Sequence, residues 1–373
     1  MTMRVCGFKG TVCSTTDEAN RVSVVVGGGS AYVTNNGSNT VSVIDTGTDT
    51  VTATITLTNS SPNFMSLSPN GATLYVLDNG LVSVVNTATN RETTTIALPG
   101  TNNGGIAITP NGNEVYVTNR DTAVADVIST ATNTIIAAPA VGTEPHYPSM
   151  LSDGSKVYVP AQLSNIVTVI NTATYGTTSI AGITSATCVG LTSASVARGY
   201  TGGVGATATH VLNTSTDTDT GTVAVGTGSQ TASVTPDSTK AYVGSLGSNT
   251  VSVINVATGT VTATIPVGDI FTAGIVVFTP NSSRGYISNV NDDTVSVIDI
   301  AGDTVVATVT VGDSPRIPGS NSTGSKVYVP NASSGTVSVI NTSTNAVSST
   351  ITVGTTPIRV ILSGQTNLPP FSF

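Results

Sequence analysis

The stretch Tyr32 to Ile55, YVTNNGSNTVSVIDTGTDTVTATI, decides the fold of this chain. Its opening tyrosine returns at Tyr75, Tyr116, Tyr158, Tyr200, Tyr242, Tyr286 and Tyr328, with spacings of 43, 41, 42, 42, 42, 44 and 42 residues. A fixed period of this length is the signature of a repeat architecture. Each unit carries four short runs, which in the sixth read Thr231 to Val234, Ala241 to Gly244, Val251 to Asn255 and Val261 to Pro266. Within Val251–Asn255 and Val261–Ile265, apolar and small polar residues largely alternate, the period of a strand. Valine, isoleucine and threonine fill the runs, and they suit a pleated surface. Turn formers such as Pro69-Asn70-Gly71, Pro110-Asn111-Gly112 and Thr258-Gly259-Thr260 separate them.

No window offers a helix-length apolar stripe with caps, so the chain is all-β. Four antiparallel strands in about 42 residues, repeated many times, predict a single β-propeller of about eight four-stranded blades, with seven as the alternative. A β-helix needs a shorter repeat, and a helical solenoid needs helical periodicity. The repeat at Tyr32–Ile55, Tyr242–Gly268 and Tyr286–Gly312 resembles the YVTN-type β-propeller family, whose members are surface-layer, cell-surface and periplasmic proteins, mostly non-enzymatic. The resemblance spans about residues 21 to 364, and the fifth unit, around Tyr200 and His210, is its most degenerate copy. It carries fold more than chemistry, because function lies in sites grafted on the scaffold. The expected organisation is a non-repeat extension over 1–21, the propeller over 22–364 and a tail over 365–373. Pro357 to Leu362 begins a ninth unit that never continues, and could replace Val22 to Val26 as the inner strand of the first blade.

Of 373 residues only 9% are charged, with a net charge of −8. That excludes a nucleic-acid grip, which needs clustered Lys and Arg, and a polybasic membrane surface. A hydrophobic content of 38% excludes a disordered chain. No run reaches the roughly 20 apolar residues of a membrane helix, and no secretory signal is expected from Met1–Gly10. Three cysteines, Cys6, Cys13 and Cys188, are too few for a disulfide framework; a Cys6–Cys13 bridge across a short hairpin is the alternative to free thiols.

First strands of blades line a central channel, so a fixed offset from the marker samples one ring. Twelve residues before each tyrosine stand Asn20, Asn63, Gly104, His146, Cys188, Gln230, Gly274 and Arg316, with Ile358 and Arg359 on the spare strand. Asn63, His146, Gln230 and Arg316 are the candidate ligand contacts, suited to a small anion through charge-assisted hydrogen bonds. Glu144 beside His146 could orient it as a base. Two histidines and no Cys-x-x-Cys leave no transition-metal motif, so no cofactor and no metal are expected. Asp292-Asp293 and Asp217-x-Asp219 could touch calcium, but read better as exposed turns. A lactonase-like or lyase-like propeller would need a channel-mouth cluster of His, Glu, Arg and Asp.

The outer strands Val51–Thr56, Val261–Ile265, Val305–Thr310 and Val347–Thr352 carry no charge, whereas natural edges are usually blunted. With no catalytic constellation, the main expectation is a non-enzymatic structural, adhesive or interaction module. It would sit in an extracellular surface layer or a virion, as a phage decoration, tail or baseplate component. Its partners would be proteins or neighbouring subunits and surface glycans, without nucleic acid or membrane insertion. The alternative is a small-molecule-binding or lactonase/lyase-like propeller using the channel.

Overall fold

The computed structural model describes residues 29–58, 60–270 and 274–364. Over these residues the chain forms 31 strands and no helix, gathered into seven antiparallel sheets, six of four strands and one of seven. This is a β-propeller-like all-β fold. Each marker tyrosine lies on the second strand of its set and is buried. Second and third strands, such as Ser30–Asn35 and Thr40–Asp45, are buried along nearly their whole length, because both their faces meet a neighbouring sheet. The fourth strand, Thr50–Thr56, instead alternates, with threonines outward and Ile55 inward. The apolar core is therefore divided into clusters between consecutive sheets, as where Tyr32 and Val43 meet Met65 and Leu74.

Pro357–Leu362 pairs antiparallel with Ser30–Asn35, opposite Ala31 to Asn35, and completes the first sheet. Its Val360 and Leu362 join Val33 and Ile44 in one cluster with Tyr328, Val337 and Val339 of the last unit. The two ends of the described chain thus share one sheet. Val22–Val26, Asn20, Cys6 and Cys13 lie outside the described residues, as do both extensions beyond the repeat.

The sixth unit departs from the expected four separate runs. Its first strand is the end of one continuous strand, Thr218–Val234. Thr218 to Ala224 pair with Ala206–Asn213, and Thr231 to Val234 pair with Lys240–Ser245. Some other connections of this kind contain a proline, as at Pro62, Pro145 and Pro315, but the connection over 182–185 has none and still separates two strands. Across Gly226-Thr227-Gly228 the strand runs on and joins the fifth and sixth units in one seven-stranded sheet.

At the start of three second strands, a lysine and the marker tyrosine clamp the next unit. Lys156 Nζ and Tyr158 Oη both donate to Asp217, at 2.8 and 2.6 Å. Lys240 and Tyr242 do the same to Asp303, and Lys326 and Tyr328 to Asp49. All three aspartates occupy the left-handed position of a hairpin turn, with φ of 55°, 51° and 54°. Short polar side chains tolerate that conformation. The Lys326–Asp49 clamp ties the last unit to the first.

Candidate functional site

First strands begin where second strands end, so the opposite end of the barrel of strands is built from first-strand starts. There a cavity of about 220 Å³ is lined by His146, Tyr147, Thr187, Gln230, Arg316 and Arg359, with an aliphatic wall of Ile275, Ile317 and Ile358. Four sheets besides the seven-stranded one contribute to it. Val204, from the turn between Arg198–Gly203 and Ala206–Asn213, stands at its edge.

Three of the four candidate residues, His146, Gln230 and Arg316, are brought together here. Asn63 is not: it is exposed, and its neighbour Phe64 points inward. Cys188, from the same predicted ring, is buried, and burial pushes its thiol up to about 12. Thr187 takes its place, because the fifth unit pairs its marker Tyr200 with Gly190, ten residues back, where the fourth pairs Tyr158 with Ser149, nine back. Counting from the tyrosine alone therefore slips by one. Gly104 lies against the next unit: a Cβ there would meet the Pro145 carbonyl oxygen at 2.3 Å.

Arg359 was offered by the spare strand and proves to be the most deeply set charge in the wall. It is 5% exposed, and its guanidinium carbon lies 4.3 Å over the centre of the Phe64 ring. Burial lowers its pKa to about 9, with Tyr147 opposing, so it remains a cation at neutral pH. Phe64 also tilts against Tyr147, with ring centroids 5.5 Å apart. Beneath Gln230 the backbone of Gly202 comes so close that a Cβ would lie 2.1 Å from the Gln230 carbonyl oxygen. Thr187 Oγ1 donates to that same carbonyl at 3.1 Å. The Gln230 side-chain oxygen Oε1 is buried and has no hydrogen-bond partner.

His146 has a different role from the one its sequence context suggests. Its Nδ1 accepts from Arg120 Nη2 at 2.9 Å, and its Nε2 donates to Gln162 Oε1 at 2.8 Å. Burial, and then the Arg120 charge, lower its pKa to about 4, so the ring is neutral. Glu144 does not orient it; its carboxylate pairs with Arg120 Nε at 3.3 Å. With both nitrogens engaged, His146 is a fixed strut rather than a base. The suspected acidic pairs are likewise internal braces. Asp219 accepts from His210 Nδ1 at 2.8 Å, Asp292 from the Asp269 amide at 2.7 Å, and Asp293 from the Ser314 amide at 2.8 Å. Among the described residues no three His, Cys, Asp or Glu side chains group as a metal site.

No family model and no curated protein matches the sequence. Solved structures match by fold. The dihydro-heme d1 dehydrogenase NirN, in complex with DHE, has a TM-score of 0.75 at 12% identity, covering 91% of this chain and 76% of that one. The hydrazine synthase of Kuenenia stuttgartiensis has a TM-score of 0.60 at 21% identity, covering 75% and 95%. A functionally unknown protein of Desulfotomaculum acetoxidans has a TM-score of 0.60 at 14% identity, covering 90% and 98%. At these identities the likeness is one of fold.

Fold and cavity together describe a propeller-like protein with a cavity where the first strands of several sheets begin. That corrects the expectation of a structural, adhesive or virion module, because two of these fold neighbours are enzymes and the axis holds a formed cavity. It likewise sets the expectation of a non-enzymatic chain against neighbours that catalyse reactions. A heme-type group does not fit this cavity, however. Its volume lies below the roughly 300 Å³ at which sites for drug-sized ligands begin, and His146 has no nitrogen left for an iron.

Proposed function

We propose that this chain is a small-molecule-binding β-propeller of eight blades that holds an anionic ligand in the axial cavity. The eight-blade count is supported by eight marker tyrosines, and by reading the seven-stranded sheet as two blades that share Thr218–Val234. The YVTN-type resemblance of the repeat agrees with this architecture. The observation that carries the functional reading is electrostatic. Among the described residues, Arg316 and Arg359 line the cavity and no carboxylate does, in a protein whose net charge is −8. Guanidinium forks also match planar oxyanions in two-point hydrogen bonding.

Differential scanning fluorimetry against a panel of small organic acids, with amines of the same size as controls, tests the reading. At least one acid is expected to raise the melting temperature, and Arg316→Gln should remove that rise. If no acid stabilises the protein more than its matched amine, the axial site is not an anion site.

A further inference from the structure

We propose that the ligand of the cavity at the first-strand starts carries a hydrocarbon group of about six to eight carbons. This rests on that cavity being the ligand site, and not on the charge of the ligand. The polar side chains of the wall are already committed. His146 has both ring nitrogens engaged. Thr187 Oγ1 donates to the Gln230 carbonyl, and Thr231 Oγ1 donates to the Gly274 carbonyl. The Arg359 guanidinium lies on the Phe64 ring, and Tyr147 and Arg316 have partners within the protein. Gln230 Oε1 is buried and presents no surface to a ligand. A wholly polar ligand would give up its hydrogen bonds to water here and regain few of them.

What the wall leaves open is aliphatic. Ile275 and Ile317 hold the same place in the units of Tyr286 and Tyr328, eleven residues before the marker. The backbone of Ile317 bridges to Arg359, next to Ile358 on the inner strand of the first sheet, so these isoleucines share one side of the space. Ile317 and Ile358 are only partly covered. Val204 completes this surface at the cavity edge and is 48% exposed. It reaches that edge on the two-residue turn Val204-Gly205, where the units on either side have four-residue turns over 162–165 and 246–249. Apolar side chains exposed together in a concavity gain when a ligand displaces the water over them. Size sets the limit. A dry cavity of about 150 Å³ accepts benzene, so about 220 Å³ holds about six to eight carbons.

Isothermal titration calorimetry with butanoate, hexanoate, octanoate and decanoate, and with 1-butanol, 1-hexanol and 1-octanol, tests this. In each series affinity should rise about threefold to fourfold per methylene, the ratio for burying one such group. The rise should end beyond about eight carbons, where the cavity is full. Val204→Ser, a change in an exposed turn, should weaken octanoate about threefold or more. Acids that bind equally at every chain length would overturn the hydrocarbon assignment and leave the anion site standing. Alcohols that bind as tightly as acids of the same length, with the same rise, would overturn the anion reading and leave this one standing. A rise that continues through decanoate, or that Val204→Ser leaves untouched, would put the chain elsewhere on the surface and overturn the proposal. Binding of no acid and no alcohol would overturn both readings.

Discussion

The two ends of the strands are built on opposite plans. Where second strands begin, the same clamp recurs: Lys156, Lys240 and Lys326 each join a marker tyrosine in holding an aspartate of the following unit. Where first strands begin, structurally equivalent positions in the cavity wall hold His146, Thr187, Gln230, Arg316 and Ile358, and the ring's one identity is glycine at Gly104 and Gly274. Repetition at one end suits a joint that must be made many times over. Its loss at the other end suits an asymmetric ligand, which a ring of identical side chains could not orient.

The largest effect that would sharpen this contrast lies in the clamped end. Tyr328 is fully buried and also donates to Asp49 across the seam. Tyr328→Ala should cost about 3–5 kcal/mol in urea unfolding, the range for emptying a buried aromatic site. Tyr328→Phe, which removes only the hydroxyl, should cost about 1–2 kcal/mol. Equal losses would mean that the hydroxyl, not the ring, holds the joint.

Asp78 gives a smaller effect of opposite sign. It stands where Asn35, Asn289 and Asn331 stand in other units, three residues after the marker. Those amides donate to two hydroxyls across the turn, as Asn35 does to Thr40 at 3.0 Å and Ser42 at 2.9 Å. Asp78 is 3% exposed and neither carboxylate oxygen has a donor. Its turn is the short Asn79-Gly80, with Gly80 at φ of 80°. Burial, and then Glu92, raise its pKa from 3.8 to about 7. A carboxyl whose folded pKa is raised is neutral in the fold at low pH, and it works against the fold increasingly as pH rises from about 4 to about 7. Asp78→Asn should therefore add about 1–3 kcal/mol at a pH near 8, with the gain vanishing near pH 4. A gain independent of pH would show that the charge is not the cause.

The smallest effect concerns the seam's ion pair. Lys326 Nζ lies 2.7 Å from Asp49, with both side chains partly exposed. Lys326→Met should cost about 1 kcal/mol, and 0.5 M salt should reduce the difference from the parent. A loss near that of Tyr328→Ala would move the weight of the joint from the core to the charge.

The scaffold was legible because its signals repeat. The tyrosine period marked the units, and the surplus run Pro357–Leu362 announced the strand that completes the first sheet. The fused strand Thr218–Val234 was not foreseen, since its connection lacks proline just as 182–185 does, and that one separates two strands. In the site, a constant offset found His146, Gln230 and Arg316 but chose Cys188 over Thr187, because an extra residue before Tyr200 shifts the pairing. The inertness of His146 depends on Arg120 and Gln162, from other strands, and nothing local in the sequence marks those contacts. Arg359 could be placed on the spare strand, but its depth depends on Phe64, nearly three hundred residues earlier.

Completion of the first sheet by Pro357–Leu362 has a consequence for how the protein is made. The Ser30 amide donates to Ser363 Oγ across a separation of 333 residues. During synthesis the hairpin of Ser30–Asn35 and Thr40–Asp45 emerges from the ribosome long before Pro357–Leu362, the strand that pairs with its inner edge in the folded protein. Such distant pairing is slow to form. The sheet that holds the first described hairpin is thus completed by the last described strand.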